Sequence, residues 1–293
     1  PDYNPVSSYR RTFTVPAEWK GRDVILRFDG VYSAYYVWVN GKKVGYAEDS
    51  MLPSEFDITP YLNVTSNLLA VEVYRWSDGS YLEDQDRFEF SGIHRGVSLW
   101  AEPKEGAIGD FSVTADMQGN FSVDGTDADI ALYDADFREV IRSSGRVADV
   151  RLWSAEDPYL YTLVLKKGDD IRSCKVGFRT VALSPSGAVT INGAKVKLRG
   201  VNWREFSAKE GFTVTEAELE EDVRILKRGN FNCVRTSHNP ASPYFYHLCD
   251  RYGIYVQSEA NVESHGMGYG TKGLAHPPSW AKAQVERGVR MVA

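Results

Sequence analysis

The feature that most restricts the fold is the last third of the chain, where short apolar strands alternate with amphipathic helices. Thr215-x-x-Glu218 has the spacing of a capping box, and apolar residues follow it at helical intervals. Residues 231–235 and 254–257 have the composition of buried strands, and a second helical stripe lies between them. Because parallel strands need long crossovers, this alternation predicts a parallel sheet or barrel built from β/α units.

The length of this region limits how much of a barrel the chain can hold. A complete (β/α)8 barrel takes roughly 250 residues, whereas the chain has 293 residues and the β/α pattern begins only near residue 187. We therefore expect residues 187–293 to hold the first three β/α units of an incomplete barrel, with a helix from Pro278 onward. The second strand of a hairpin at Asn192-Gly193 is expected to continue toward Val201 as the first barrel strand.

The preceding two thirds of the chain predict two β-sandwiches. In residues 1–104, Asn40-Gly41 separates two strand-like runs, and it is a hairpin signal because both positions tolerate positive φ. The many short strands there favour a jelly roll, whose N-terminus we expect to be incomplete. Residues 105–186 have the length and the strand content of a compact immunoglobulin-like sandwich.

Charge and hydrophobicity argue against two classes of partner. The net charge of −6 disfavours nucleic acid and anionic membranes, and no apolar run reaches the roughly 20 residues of a membrane-spanning helix. Cys174, Cys233 and Cys249 have neither metal-site nor disulfide-framework spacing, so we expect buried or free thiols. The compartment stays open, with the cytoplasm favoured over the periplasm.

Polar residues follow each of the three predicted barrel strands. In parallel barrels, functional residues lie just after the carboxyl ends of the strands. Loops are polar in any case, but ionisable groups at three consecutive strand ends favour a functional site. The residues at these ends are Asn202, Arg204 and Glu205, then Ser237, His238 and Asn239, then Glu259, Asn261, Glu263 and His265.

Three of these patterns have both a structural and a functional interpretation. Glu263 and His265 are two residues apart, so in an extended segment both side chains point the same way. They could then hold one divalent cation, with water or a third residue completing its shell. His238 is either a structural histidine or a sugar ligand. Arg235 is either part of a structural ion pair or holds a catalytic carboxylate ionised.

Longer motifs run through the whole chain. Those of the barrel region are residues 199–202, 232–238, 248–253 and 259–267. Those upstream are residues 28–31, 39–41, 52–57, 75–86, 91–93 and 176–179. Together they resemble the β-galactosidases of glycoside hydrolase family 2, and the runs 75–86 and 259–267 are the most specific. A β-glucuronidase would share Thr236-Ser237-His238 but is not expected to carry Glu-Ala-Asn-x-Glu-x-His-Gly-Met.

The resemblance implies substrate and metal roles for residues of two domains. Glu263 and His265 match ligands of the family's magnesium ion, and Asp86 matches an aspartate that binds both a galactose hydroxyl and a sodium ion. His238 and Asn4 match residues that lie at the sugar site. Arg235 matches an arginine that supports the nucleophile. Arg204 stands where the family's best-known member has a histidine that stabilises the transition state, so we assign it to substrate binding as well.

The chemistry that the resemblance implies needs two further carboxyl groups. Retaining glycosidases use an acid/base and a nucleophile roughly 5 Å apart. In this family both are glutamates of later barrel strands, expected after Ala293, and neither Glu205 nor Glu259 has a matched catalytic role. We therefore expect a full-length parent that hydrolyses terminal β-D-galactosides such as lactose with retention, and a 293-residue chain that is inactive alone.

Other functions fit parts of the same sequence. The chain could be a non-catalytic carbohydrate-binding fragment, a β-glucuronidase-like hydrolase of the same family, or one part of a complementing enzyme. The expected partner is a small-molecule galactoside, with no nucleic acid and no membrane, and the parent is expected to be a homo-oligomer. The expected cofactors are Mg²⁺ and Na⁺.

Overall fold

Two antiparallel sheets face each other in the first hundred residues of the computed structural model, which describes residues 3–292. Ala293, after which the two catalytic glutamates are expected, lies outside the described residues. The strands of this domain are β1 (Val6–Phe13), β2 (Arg22–Phe28), β3 (Val31–Tyr32), β4 (Ala34–Val39), β5 (Lys42–Glu48), β6 (Ser54–Asp57), β7 (Asn67–Tyr74), β8 (Gly92–Ile93) and β9 (Val97–Pro103). One sheet has the order β1-β7-β4-β5 and the other β6-β2-β9, while β3 pairs with β8.

Alternating side chains of the two sheets form the core of this jelly roll. Leu26 and Phe28 of β2 face Val37 and Val39 of β4, and all four are buried. The predicted hairpin is confirmed, because Asn40-Gly41 connects β4 to β5 with φ of 51° and 78°.

The immunoglobulin-like domain follows as a second sandwich with its own core. Its strands are β10 (Ser112–Ala115), β11 (Asn120–Asp124), β12 (Asp129–Tyr133), β13 (Glu139–Ile141), β14 (Gly145–Arg146), β15 (Tyr161–Lys167) and β16 (Asp170–Val176). They form the sheets β10-β11-β14 and β13-β12-β15-β16. Phe121, Leu132, Leu163 and Phe178 fill the space between the sheets.

Three further strands form a small antiparallel sheet before the barrel region. They are β17 (Val181–Leu183), β18 (Val189–Ile191) and β19 (Ala194–Lys195). The expectation that the second hairpin strand continues toward Val201 was wrong, because β19 ends at Lys195 and the next strand belongs to another sheet. The pair β17–β18 joins residues on both sides of the predicted boundary at residue 186, and that boundary stays a prediction.

The barrel region contains the three predicted β/α units. They are β20 (Gly200–Trp203), α1 (Glu216–Arg228), β21 (Cys233–Thr236), α2 (Pro243–Tyr252), β22 (Tyr255–Gln257) and α3 (Pro278–Val292). The three strands are parallel, and Gly200 aligns with Cys233, which aligns with Tyr255. The capping box is confirmed, because the side chains of Thr215 and Glu218 each accept from the other's backbone N–H.

The short 3₁₀ helices of the chain span Ala17–Trp19, Thr59–Tyr61, Asp78–Tyr81, His265–Met267 and Gly270–Lys272. All three cysteines are free thiols, as predicted. Burial raises the pKa of Cys249, so this thiol stays protonated at neutral pH. Of the helices in residues 3–292, none is long and apolar enough to span a membrane.

Candidate functional site

Three side chains from the ends of β21 and β22 meet at the carboxyl edge of the parallel sheet. Arg235 Nε donates a hydrogen bond to Glu259 Oε1, and His238 Nδ1 lies 3.2 Å from Glu259 Oε2. Arg235 Nη1 also donates to Asn202 Oδ1 at 3.4 Å, which connects the group to the end of β20. The structure thus brings the predicted residues Arg235 and His238 together, around a glutamate for which the sequence motifs suggested no role.

The predicted metal ligands lie on the loop that follows β22. Glu263 Oε1 is 3.7 Å from His265 Nδ1, and both side chains are partly exposed. Their backbone is held by the jelly roll, because Glu263 N donates to Leu82 O at 2.6 Å and Asp84 N donates to Glu263 O at 3.1 Å. The Asp84 carboxylate also accepts a hydrogen bond from Gly266 N. A jelly-roll segment therefore determines where this loop lies.

An open cleft of about 670 Å³ lies between this loop and the jelly roll. Asp86, Arg204 and His265 all line it, so three of the predicted site residues share one cavity. Its remaining walls come from the jelly-roll residues Asp84, Gln85, Arg87, Phe88 and Glu89 and from Gly266. Burial raises the pKa of Glu89, and the negative charges of Asp84 and Glu83 act in the same direction.

Asn4 is placed differently from the other predicted sugar-site residues. Its side-chain amide donates to Trp76 O at 3.0 Å and accepts from Trp76 N at 3.0 Å. It therefore pairs with the backbone at the start of the 75–86 run, and it is not among the residues that line the cleft. A substrate role for Asn4 stays a prediction.

A buried charged network supports the cleft from behind. Glu83 is fully buried, and its carboxylate accepts hydrogen bonds from Ser50 Oγ at 2.6 Å and from Arg287 Nη2 of α3 at 2.7 Å. Burial raises the pKa of the neighbouring Asp49, with a further contribution from the charge of Glu83. Sequence reasoning missed this network, because Glu83 and Arg287 are 204 positions apart and nothing in their local patterns marks them as buried.

Two amides complete the same network across the domain boundary. Asn261 donates to Asp49 Oδ1 at 2.9 Å and accepts from Gln85 Nε2 at 3.0 Å. Gln85 and Asn261 both lie in the motifs that the sequence marked as specific. Their position in those motifs was the only sequence signal that they could be important. It does not show whether such an amide supports the site or binds the substrate directly.

Glu205 has a structural partner in the jelly roll. Arg95 Nη2 donates to Glu205 Oε2 at 2.9 Å, and Ser242 N donates to the same oxygen at 2.7 Å. Both charged side chains are less than a tenth exposed. Glu205 therefore joins the jelly roll to the start of α2, which agrees with the absence of a matched catalytic role.

The donor set of Glu263 and His265 fits a divalent cation in part of its chemistry. Adjacent ligands of one octahedral Mg²⁺ lie about 3.0 Å apart for metal–ligand distances of about 2.1 Å, so the two side chains, now 3.7 Å apart, would move closer together to bind one ion. The carboxylate oxygen suits Mg²⁺, while imidazole is used more by softer metals. Within the part of the chain that the structure describes, no three His, Cys, Asp or Glu side chains are grouped to hold a metal. Water or other groups would complete the shell.

Comparisons with known families match all three parts of the chain. Residues 1–103 match the model described as glycosyl hydrolases family 2, sugar binding domain. Residues 105–179 match the model named glycosyl hydrolases family 2. Residues 181–293 match the family 2 TIM barrel domain. The three models follow the same order as the jelly roll, the immunoglobulin-like sandwich and the β/α units.

Curated proteins with similar sequences are much longer than this chain. A protein named beta-galactosidase from Priestia megaterium is 44% identical, over 90% of this chain and 29% of its own length. A beta-galactosidase from Aeromonas hydrophila is 41% identical, over 100% of this chain and 32% of its own length. The chain thus spans less than a third of the length of these two relatives.

Solved structures with the same arrangement are less similar in sequence. The β-D-glucuronidase of Dictyoglomus thermophilum superposes with a TM-score of 0.78 at 28% identity, over 89% of this chain and 51% of that chain. The β-glucuronidase of Ruminococcus gnavus in complex with N1-substituted uronic isofagomine gives a TM-score of 0.82 at 25% identity, over 99% of this chain and 56% of that chain.

Proposed function

The chain belongs to glycosyl hydrolase family 2, and on this premise we propose that the protein containing it is a retaining β-galactosidase. The substrates are terminal β-D-galactosides such as lactose. The observation that carries this proposal is the identity of 37–44% to curated proteins named beta-galactosidase. The β-glucuronidase structures share the fold at 25–28% identity, and this lower identity gives less support to a glucuronidase function.

Substrate binding is assigned to residues of both the jelly roll and the barrel region. Asp86 and Arg204 line the same cleft, and their carboxylate and guanidinium groups can accept from and donate to sugar hydroxyls. His238 adds an imidazole at the end of β21. Asn4 is included on the basis of its motif alone. Asp86 is also the proposed sodium ligand.

Metal binding is assigned to Glu263 and His265. When bound, Mg²⁺ would supply positive charge that stabilises negative charge on the leaving oxygen as the glycosidic bond breaks. Glu263 and His265 would hold it beside the cleft, since His265 lines that cleft. The backbone hydrogen bonds with Leu82 and Asp84 fix the main chain of Glu263 relative to the jelly roll.

The covalent steps are assigned to glutamates outside these 293 residues. One would protonate the leaving oxygen and the other would attack the anomeric carbon. Arg235 is proposed to lie beside the nucleophile and to stabilise its ionised form, since a guanidinium favours the charged state of a nearby carboxylate. Within the described residues, the guanidinium is held by Glu259 and Asn202.

The test is a comparison of two aryl glycosides with the complete protein. We expect kcat/KM for p-nitrophenyl β-D-galactoside to exceed that for the β-D-glucuronide by at least about 100-fold. Proton NMR should show the β-anomer of galactose as the first product. A higher kcat/KM for the glucuronide would contradict the proposal and indicate a β-glucuronidase. The α-anomer as the first product would exclude a retaining mechanism.

The 293-residue chain serves as the matched control in the same assay. We expect it to hydrolyse neither substrate, because the two catalytic carboxyl groups are assigned elsewhere. Galactose binding by a complete protein that never shows turnover would favour a carbohydrate-binding function. Activity that appears only when a separate chain with the later barrel strands is added would indicate a complementing enzyme.

A further inference from the structure

Glu259 is the group around which the end of β21 is organised. Each of its carboxylate oxygens has one partner: Oε1 accepts from Arg235 Nε, and Oε2 lies 3.2 Å from His238 Nδ1. The side chain is only 24% exposed, so water competes weakly for these contacts. Both oxygens are therefore engaged by residues that the proposed function places at the sugar and beside the nucleophile.

The backbone at Glu259 is tied to the strand that carries its partners. Glu259 N donates to Thr236 Oγ1 at 3.4 Å, and Thr236 is the buried last residue of β21. The backbone that carries the Glu259 side chain is thus held in place relative to Arg235 and His238. Arg235 is restrained at its other end by Asn202, so its guanidinium has little freedom to rotate.

The contact between Glu259 and His238 favours one of the two neutral tautomers of the ring. An ionised carboxylate only accepts hydrogen bonds, so Oε2 requires a proton on Nδ1. In the neutral imidazole, Nε2 is then an acceptor. His238 Nε2 makes no hydrogen bond to any residue from 3 to 292, so it is left available for a donor from outside, such as a sugar hydroxyl.

A second contact acts against this assignment. Arg235 Nη2 lies 3.4 Å from the same Nδ1, and a guanidinium can only donate. If this contact determined the tautomer, the proton would be on Nε2. The carboxylate is closer and forms a charge-assisted hydrogen bond, which favours the proton on Nδ1. The two contacts give opposite tautomers, so the question can be decided by measurement.

We propose that Glu259 is a positioning residue that holds His238 as the Nδ1–H tautomer, so that Nε2 accepts a hydrogen bond from one hydroxyl of the substrate. The same carboxylate keeps the guanidinium of Arg235 in place. This inference rests on the proposed glycosidase function, since it names the partner of Nε2 as a sugar hydroxyl. Glu259 itself does not touch the substrate.

The first experiment reads the tautomer directly and does not depend on activity. Two-bond ¹H–¹⁵N correlation spectra of the ¹⁵N-labelled complete protein at pH 8 distinguish the two neutral forms, and His238→Gln assigns the signal. We expect a protonated Nδ1 and an unprotonated Nε2. A proton on Nε2 in the unsubstituted protein would overturn the inference, whatever any variant does.

The second experiment removes the carboxylate. In Glu259→Ala, Arg235 is the remaining neighbour of Nδ1, so we expect the His238 proton to move to Nε2. Glu221→Ala is the matched control, because Glu221 also pairs with an arginine, Arg228, but lies on the exposed face of α1. This control should leave the His238 signals unchanged. An unchanged tautomer in Glu259→Ala would overturn the inference.

The third experiment identifies the hydroxyl by kinetics. We expect Glu259→Ala to lower kcat/KM of the complete protein for an aryl β-D-galactoside by about 10–100-fold. A panel of monodeoxy galactosides should contain one compound whose kcat/KM falls clearly less in Glu259→Ala than that of the others, because it lacks the hydroxyl that Nε2 binds and loses only the support of Arg235. An equal loss on every compound would show a structural role only and would overturn the inference.

Failure of the inference and failure of the proposed function give different results. A protein that hydrolyses galactosides but carries the proton on Nε2 of His238 retains the proposed function and loses the inference. A protein with the Nδ1–H tautomer that hydrolyses only glucuronides loses the galactosidase assignment, and the panel is then repeated with deoxy glucuronides.

Discussion

The barrel region contacts the jelly roll and the immunoglobulin-like domain through two interfaces of different chemistry. The jelly-roll interface contains buried ion pairs, Glu83 with Arg287 and Glu205 with Arg95, whose side chains are at most 8% exposed. It also contains the amide contacts of Asn261. Ionised side chains of the jelly roll and the barrel region therefore meet where water is largely excluded.

The interface with the immunoglobulin-like domain uses backbone groups and aromatic rings. Trp153 Nε1 donates to Asp250 O at 2.7 Å, and its ring packs edge-on against Tyr255 with centroids 5.6 Å apart. Lys227 Nζ donates to Ala155 O at 3.0 Å. Gly253 ends α2 with φ of 75°, and a Cβ there would lie 2.4 Å from Ala155 O, so close packing requires glycine.

The difference in chemistry between the two interfaces agrees with their distances from the cleft. Buried ion pairs add little net stability, but an unpaired buried charge is costly, so they penalise any shift of one partner. The jelly-roll interface lies directly behind the cleft that contains Asp86 and His265. The contacts of Trp153 and Gly253 hold a domain that contributes no residue to that cleft. We infer that the jelly-roll interface has to align the barrel region precisely. The interface with the immunoglobulin-like domain only has to keep that domain attached.

The largest expected effect comes from removing one partner of the most buried pair. Arg287→Met leaves the fully buried Glu83 with Ser50 and the more distant Arg87, at 3.6 Å. We expect the free energy of unfolding, measured by urea titration, to fall by about 3–5 kcal/mol. Amide exchange of α3 should accelerate in parallel.

Arg290→Met is the control for this substitution. Arg290 is also on α3, donates to Pro53 O and lies 3.7 Å from the buried Asp49, but its own side chain is 27% exposed. Asp49 keeps its hydrogen bond from Asn261 when Arg290 is removed. We expect a loss of about 1 kcal/mol. Similar losses for both variants would contradict the importance of complete burial and would remove the main contrast between the two interfaces.

The next effect is a pH dependence at the jelly-roll interface. Burial, and then the nearby charge of Arg95, lower the pKa of His94 to about 3. An unfolded histidine has a pKa near 6.5, so between these values the unfolded chain binds a proton that the native chain does not. Neutral His94 therefore makes its full contribution to the free energy of unfolding above pH 6.5. This contribution is lost as the pH falls, and the loss reaches about 2 kcal/mol at pH 5.

The measurement is the change in unfolding free energy between pH 7 and pH 5, compared between the unsubstituted chain and His94→Gln. The comparison is needed because Asp49 acts in the opposite direction. Its pKa is raised by burial and by Glu83, which favours the folded state at low pH. An equal pH dependence of both proteins would show that His94 titrates normally and that its surroundings are wetter than the structure indicates.

The smallest effect is expected at the other interface. Trp153→Phe removes the hydrogen bond to Asp250 O but keeps a ring against Tyr255. We expect a loss of about 1–2 kcal/mol, measured by the same urea titration. Trp100→Phe removes a more exposed indole bond to Ser98 and should change little. A loss at Trp153 as large as that of Arg287→Met would erase the distinction between the interfaces.

The parts of the fold that follow local rules were predictable from the sequence. The capping box at Thr215 and the turn at Asn40-Gly41 depend on residues a few positions apart, and both are confirmed. The run after Asn192-Gly193 was predicted incorrectly, because the pattern did not reveal that the chain changes sheets between Lys195 and Gly200. Strand pairing over long distances is not a local property.

The candidate site was predictable only where a motif carried its residues. Glu263 and His265 were expected to lie close together and do, and Arg235 and His238 meet at one glutamate. Glu259 itself was not assigned, because a carboxylate that orients other side chains has no sequence pattern of its own. The roles of all these residues in binding stay predictions until variants are tested.

The short parallel bridge between Glu83 and Glu263 has a consequence for protein engineering. It means that the jelly roll and the barrel region cannot be exchanged independently of each other, although each sandwich has its own core. In a chimaera with the jelly roll of one relative and the barrel of another, the two segments that form this bridge would come from different proteins. Residues 82–86 and 263–266 should therefore be transplanted from the same parent, whereas exchange of the immunoglobulin-like domain should tolerate a mixed origin.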